Sequence, residues 1–129
     1  MFLPLLFLLG ASSLPGPIQG DFDHDGLTDT AQIARTGRDI YHLEITRGAA
    51  PGAPTRLPMH LSPPHYFKLA DAQPATPTAC GKGLGAKDHP CPRPKVDLKQ
   101  GDLLFGYSEA SEAAVLWDGK TFQVEWLSD

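Results

Sequence analysis

Apolar and polar residues alternate along several short stretches of the chain, and this period of two is typical of β-strands that bury one face. Residues 40–47 show it clearly, with Tyr41, Leu43 and Ile45 as the apolar positions. Residues 121–127 alternate in the same way, with Phe122, Val124 and Trp126 on one side. Both stretches are therefore predicted to be half-buried strands, with these apolar residues facing the core.

The last third of the sequence contains the densest strand signals. Predicted strands cover residues 96–98, 103–107, 113–117 and 121–127. Asp118 and Gly119 separate the last two, and an Asp-Gly pair favours a hairpin because glycine accepts the positive φ of a tight turn. These strands are therefore expected to form an antiparallel sheet.

Prolines interrupt the middle of the chain. Residues 51–94 contain ten of them, and each removes a backbone donor and restricts the residue before it. Only a brief strand, such as residues 65–70, is expected in this stretch. The rest is predicted to be a long surface excursion.

Composition narrows the fold class. A chain of 129 residues is long enough for one hydrophobic core but not for two independent ones. Its 13 Gly and 13 Pro are too many for a helical bundle. We predict a mainly β protein with a small antiparallel sheet, blade-like or sandwich-like.

The charge of the chain argues against nucleic acid as a partner. With 15 acidic and 11 basic residues and a net charge of −4, the chain lacks the surplus of basic residues that binding to a phosphate backbone normally requires.

The N-terminus predicts export. Residues 2–9 are apolar and are followed by small residues, the layout of a secretory signal cleaved after Ser13. The run is too short to span a bilayer, which takes about 20 apolar residues, so no stable membrane insertion is expected. We therefore predict a signal peptide over residues 1–13, a single domain over 14–129 and a periplasmic or secreted location. A buried N-terminal strand or helix is the alternative.

The chain has two cysteines, Cys80 and Cys91. In an exported protein such a pair is expected to form a disulfide, which would fix the proline-rich excursion. The alternative is a nucleophilic or metal-bound cysteine, for which His89 is the nearby partner.

Residues 21–29 (DFDHDGLTD) have the pattern of a metal-binding loop. Carboxylates stand at positions one, three, five and nine of this stretch, and glycine stands at position six. Ca²⁺ takes six to eight oxygen ligands, and a loop with an oxygen at every second residue can wrap around it. The predicted ligands are the side chains of Asp21, Asp23, Asp25 and Asp29 and the carbonyl of Leu27. An Asp-rich turn without a metal is the alternative.

The loop is not an EF-hand, because Gln32 occupies position twelve, where that motif has a glutamate. The pattern DxDxDGxxD instead resembles the calcium loop of FG-GAP/VCBS-type repeats, found in integrin-like propellers and many secreted bacterial proteins. The resemblance implies the five ligands named above and places His24 towards solvent. It covers about a dozen residues and does not imply a whole propeller.

Other groupings are weaker. His60 and His65 could form a zinc pair, but two prolines separate them and a third ligand is not evident. Glu109 and Glu112 could be paired carboxylates of a glycosidase, which would need a deep cleft. Motifs for nucleophilic or cofactor chemistry are absent from the sequence. We therefore expect a protein without enzymatic activity, in which Ca²⁺ is structural.

The expected function is protein binding. Tyr107, Glu109, Glu112 and Trp117 combine aromatic anchors with carboxylates, a combination suited to the active site of a basic enzyme. By architectural analogy with small exported inhibitors, the leading hypothesis is an inhibitor or immunity factor for a secreted cell-wall hydrolase. An adhesion or envelope-scaffold module of the FG-GAP/VCBS type is the alternative, and a small hydrolase is the third class.

Overall fold

A computed structural model describes residues 14–59, 62–84, 90–107 and 111–128. The predicted signal peptide, His60, His89 and Glu109 lie outside these ranges. The described residues are mainly β, as the sequence predicts. Their strands are β1 (Ile18–Gly20), β2 (Asp29–Gly37), β3 (Ile40–Thr46), β4 (Thr55–Met59), β5 (Tyr66–Leu69), β6 (Gln73–Pro77), β7 (Lys95–Leu98), β8 (Leu103–Gly106), β9 (Glu112–Trp117) and β10 (Phe122–Ser128).

All strand pairs in the described residues are antiparallel, and they form three sheets. The N-terminal sheet has the order β1-β2-β3-β4, and the central sheet has the order β10-β9-β8-β5. Strands β6 and β7 form a third, two-stranded covering sheet. Among these residues no helix has the length and apolar character needed to cross a membrane.

The main core lies between the N-terminal and central sheets. Its buried residues come from both sheets and from the loop after β1: Phe22, Ala31, Leu43, Ile45, Leu103, Phe105, Ala113, Val115 and Phe122. Alternate residues of each strand point into this space, which explains the period of two in the sequence. The arrangement is therefore sandwich-like.

The opposite face of the central sheet is also covered. A second buried cluster joins this face to the covering sheet and contains Ala70, Leu98, Leu104, Ala114 and Leu127. Every residue of β8 is buried, because its side chains alternate between the two clusters. A strand with both faces covered has a continuous apolar sequence, as residues 103–105 (LLF) do.

The proline-rich stretch contains more strand than predicted. Three strands, β4, β5 and β6, lie within residues 51–94, so the expectation of a single brief strand is wrong. Pro58 is tolerated because β4 is an edge strand of the N-terminal sheet. Strand β6 contains two prolines, and its register with β7 shifts between Gln73 and Thr76.

The excursion between β5 and β8 is closed at its base. Ala70 N–H donates to the carbonyl of Asp102, and Gly101 N–H donates to the carbonyl of Ala70, both at 2.8 Å. Farther out, the predicted disulfide joins Cys80 and Cys91, whose Cα atoms are 5.7 Å apart. Residues 71–100 therefore form an insert whose two ends lie side by side.

The predicted hairpin between β9 and β10 is confirmed. Asp118 N–H donates to the carbonyl of Thr121, and Gly119 adopts a φ of 102°. The Asp118 carboxylate accepts the N–H groups of Lys120 and Thr121, each at 2.8 Å. These bonds hold the pKa of Asp118 below its usual value.

Candidate metal-binding site

The acidic loop, residues 21–28, joins β1 to β2. Gly20 pairs with Asp29, so sheet pairing fixes both ends of the loop. Phe22 is fully buried in the main core and anchors the loop between its first two aspartates. His24 and Gly26 have positive φ angles of 59° and 90°, which turn the chain sharply.

Three of the predicted ligands meet in this loop. Asp21, Asp23 and Asp29 each offer a carboxylate oxygen, and these oxygens lie within 4.8 Å of one another. Like charges at this spacing repel, and a cation among them would relieve the repulsion. The group consists entirely of hard oxygen donors, the kind that Ca²⁺ and Mg²⁺ prefer. It could therefore hold a metal ion.

Backbone N–H groups hold two of these carboxylates. Asp21 accepts the N–H of Gly26 at 2.8 Å and that of Asp25 at 3.1 Å. Asp29 accepts the N–H of Phe22 at 2.8 Å and, through its other oxygen, that of Gly48 at 2.8 Å. The loop backbone thus wraps around its own carboxylates.

Asp25 and Leu27 are placed differently from the other predicted ligands. Asp25 does not belong to the group of three, and its Oδ1 accepts the N–H of Leu27 at 2.9 Å. Both residues are exposed. Their roles as ligands stay predictions, whereas the three remaining carboxylates are already close together.

The buried carboxylates have shifted pKa values. Burial would raise the pKa of Asp23, but hydrogen bonds from Arg47 and Asp25 and the charge of Arg47 lower it overall. Burial raises the pKa of Asp29, and its backbone hydrogen bonds offset only part of this effect. Asp23 is therefore held ionised by a neighbouring cation, while Asp29 depends on N–H donors.

The sequence gives no signal for the residues that brace this loop. Arg47 and Gly48 follow β3, and Arg47 Nε lies 2.6 Å from Oδ2 of Asp23. A Cβ atom at Gly48 would lie 2.5 Å from the carbonyl oxygen of Thr28, so only glycine allows this approach. The contact is created by the pairing of β3 with β2, which places residues distant in sequence opposite each other.

His24 also has an unpredicted partner. The resemblance places His24 towards solvent, but its side chain is only 28% exposed, and its Nε2 lies 2.6 Å from Oδ1 of Asp102, whose side chain is 3% exposed. Oδ2 of Asp102 accepts the N–H of Lys99 at 2.7 Å. The acidic loop is therefore tied to the turn that precedes β8.

The three predicted partner-binding residues that the structure describes, Tyr107, Glu112 and Trp117, do not lie at one place. Glu112 and Trp117 occupy opposite ends of β9, about 17 Å apart along an extended strand. Tyr107 follows β8 at the same end as Glu112, since Gly106 pairs with Glu112. Trp117 packs on Phe122 at 4.8 Å at the other end.

Glu112 belongs to a small polar network. It accepts the hydroxyl of Tyr66 at 2.7 Å and pairs with Lys68 at 3.1 Å. The Tyr66 ring reaches Glu112 across Gly106, where a Cβ atom would lie in contact with the Tyr66 hydroxyl. Burial and the adjacent carboxylate raise the pKa of Tyr66 to about 12.

Tyr107 belongs to an exposed aromatic patch that also contains His65 and Trp126. The Tyr107 and Trp126 rings are stacked with centroids 6.4 Å apart, and His65 meets Tyr107 edge-on at 5.5 Å. The alternation of residues 121–127 predicts a core position for Trp126, but 44% of its surface is exposed, because it lies near the end of the edge strand β10. The Tyr107 hydroxyl donates to the carbonyl of Ser62 at 2.8 Å, which orients its ring.

Comparison with known proteins gives no relative: no protein-family model matches the chain, and neither curated proteins nor solved structures include a significant match. The described residues form a mainly β fold with an acidic loop that could hold a metal ion. The resemblance to FG-GAP/VCBS repeats continues to rest on the motif in residues 21–29.

Proposed function

We propose that this chain is an exported calcium-binding protein that acts by binding another protein, and that the ion stabilises its fold. The observation that carries the calcium site is the approach of the Asp21, Asp23 and Asp29 oxygens to within 4.8 Å. Phe22, between two of these ligands, is buried in the main core. An ion in the loop would therefore stabilise the packing of the two large sheets.

Calcium suits the donors and the proposed location. The carboxylates, with the Asp25 side chain and the Leu27 carbonyl as further ligands, would saturate the ion with protein oxygens, which favours a structural role over activation of water. Extracellular modules bind Ca²⁺ with dissociation constants of about 10⁻⁴–10⁻³ M. Export is supported by the disulfide, a bond typical of oxidising compartments.

The calcium site is tested by thermal unfolding in EDTA and in millimolar CaCl₂, together with calorimetric titration. We expect calcium to raise the melting temperature of the wild type but not that of Asp21→Asn. Asp39→Asn is the matched control, since Asp39 is exposed in the turn between β2 and β3. A wild-type melting temperature that does not respond to calcium would contradict the site.

For the binding surface we propose the aromatic patch, with Glu112 at the same end of the central sheet as a polar contact. Stacked, partly exposed Trp and Tyr side chains are typical anchors of protein interfaces. Trp117 packs on Phe122 and lies under the Arg47 guanidinium, which favours a structural role for it. The proposed partner is a secreted cell-wall hydrolase.

The partner is tested by adding the purified protein to a panel of peptidoglycan hydrolases and measuring the loss of turbidity of cell-wall suspensions. We expect inhibition of at least one hydrolase by the wild type and a loss of inhibition in Trp126→Ala. Ile40→Ala, which truncates an exposed apolar residue elsewhere, is the control. Binding to cell-wall polymer without inhibition would instead favour the adhesion or scaffold module, and hydrolysis by the protein itself would favour an enzyme.

A further inference from the structure

Asp23 already has a cationic partner within the chain. Its side chain is 1% exposed, and its Oδ2 lies 2.6 Å from Nε of Arg47. A buried carboxylate without a partner is strongly destabilising, whether the missing partner is a side chain or an ion. Arg47 therefore supplies a charge that the acidic loop needs whenever a metal ion is not bound.

Arg47 is held in this position from its other side. Its guanidinium carbon lies 4.4 Å from the centroid of the Trp117 ring, the geometry of a cation–π contact. Trp117 is itself fixed by packing on Phe122. The guanidinium thus lies between a carboxylate of the N-terminal sheet region and an aromatic ring of the central sheet.

Gly48, the residue after Arg47, holds a second carboxylate of the acidic loop. Gly48 N–H donates to Oδ1 of Asp29 at 2.8 Å. Thr46 pairs with Thr30, so the register of β3 against β2 delivers residues 47 and 48 to the loop. Asp23 and Asp29, two of the three clustered carboxylates, are therefore both supported from one point at the end of β3.

We propose that Arg47 is the resident counter-cation of the acidic loop: clamped by Trp117, it neutralises Asp23 and keeps the loop folded when no metal ion is bound. When a cation enters the loop, Asp23 is shared between that ion and Arg47, and the loop depends less on the arginine. The counter-ion role of Arg47 applies in the absence of metal and so goes beyond the proposed function, whereas the weaker dependence on Arg47 in calcium rests on the proposed calcium site.

The test compares Arg47→Met with Arg56→Met by thermal unfolding in EDTA and in saturating CaCl₂. Arg56 is the matched control because it pairs with Glu44 on the same sheet but is well exposed. We expect Arg47→Met to lower the melting temperature in EDTA by about 5–10 °C, and by less than half as much in calcium. The calcium-induced rise should therefore be larger in Arg47→Met than in the wild type, and unchanged in Arg56→Met.

A second set of variants separates this inference from the calcium site. In EDTA, Asp23→Asn combined with Arg47→Met should recover at least half of the lost melting temperature, since the double variant no longer buries the Asp23 carboxylate without its cationic partner. Arg47→Lys keeps the positive charge, so its melting temperature in EDTA should fall by less than that of Arg47→Met. This variant also provides the test if Arg47→Met does not fold.

The outcomes are distinct. If calcium stabilises the wild type but its effect is no larger in Arg47→Met, the inference is overturned. If calcium stabilises no variant, the calcium site fails, and rescue by Asp23→Asn in EDTA still supports the counter-ion role. The counter-ion role of Arg47 is overturned if Asp23→Asn does not rescue Arg47→Met in EDTA. It is also overturned if Arg47→Lys is as unstable as Arg47→Met.

Discussion

Individual residues give the clearest view of what the sequence does and does not encode about the site. The spacing of Asp21, Asp23 and Asp29 is a local pattern, and their side chains do come together. Arg47 is 24 residues from Asp23, and His24 is 78 residues from Asp102. The first contact depends on the register of β3 against β2 and the second on how the two large sheets pack, and a local motif specifies neither.

Tyr66 yields a prediction about pH at this scale. Burial and the hydrogen bond to Glu112 favour its protonated form and raise its pKa to about 12, against an ordinary value of 10. In an alkaline titration followed by ultraviolet absorbance of the phenolate, one tyrosine should therefore ionise near 12. Burial also raises the pKa of Tyr107, so the high-pH absorbance change in Tyr66→Phe should be smaller by one tyrosine rather than absent. An unchanged absorbance change would contradict the assignment.

The same shift affects stability. A folded-state pKa above the unfolded-state value stabilises the fold fully below pH 10, and the contribution is lost as the pH rises from 10 to 12. The stability of Tyr66→Phe should therefore fall less over this interval than that of the wild type, when both are measured by chemical denaturation.

At the scale of elements, strands with a regular pattern were predictable and those containing prolines were not. The alternation in β3 and β10 and the apolar run of β8 placed these strands nearly correctly. Strands β4 and β6 contain Pro58, Pro74 and Pro77, which count against a strand when partners are unknown. An edge position makes such residues acceptable, and edge positions follow only from the complete sheet order.

The disulfide supports the covering sheet, and its removal gives a prediction for that element. The variant with both Cys80 and Cys91 changed to Ser should lose about 3 kcal/mol of unfolding free energy, as expected for a short closed loop. Amide hydrogen exchange should become faster in β6 and β7 but stay unchanged in β2 and β3, which belong to another sheet. Equal acceleration in all four strands would show that the covering sheet is not a separate unit.

At the scale of the whole molecule, the main core and the acidic loop are physically continuous through Phe22. Phe22→Ala should destabilise the fold by about 3–5 kcal/mol, because a fully buried aromatic side chain leaves a cavity. It should also weaken calcium binding, since the backbone that carries Asp21 and Asp23 loses its anchor. Denaturant unfolding and calorimetric titration measure the two effects, with the exposed Ile40→Ala as control. Full calcium affinity in a destabilised Phe22→Ala would contradict this link.

The overall class of the fold was predictable, but its layering was not. Composition and alternation indicate a small antiparallel β protein, and the described strands agree. The burial of both faces of the central sheet follows from the return of β6 and β7 over it. The exposure of Trp126 was also not predictable from the sequence. Alternation shows on which side of a strand a residue lies, but it does not show how far the opposing sheet extends.

The adjacent ends of residues 71–100 suggest how the architecture could be simplified. Ala70 and Gly101 are already hydrogen-bonded, so a tight reverse turn could join β5 to β8 and leave an eight-stranded miniature. Such a shortened protein would need polar replacements at Leu104, Ala114 and Leu127, which would otherwise meet water. Because the two ends of the insert are adjacent, a different polypeptide segment could also replace it between Ala70 and Gly101.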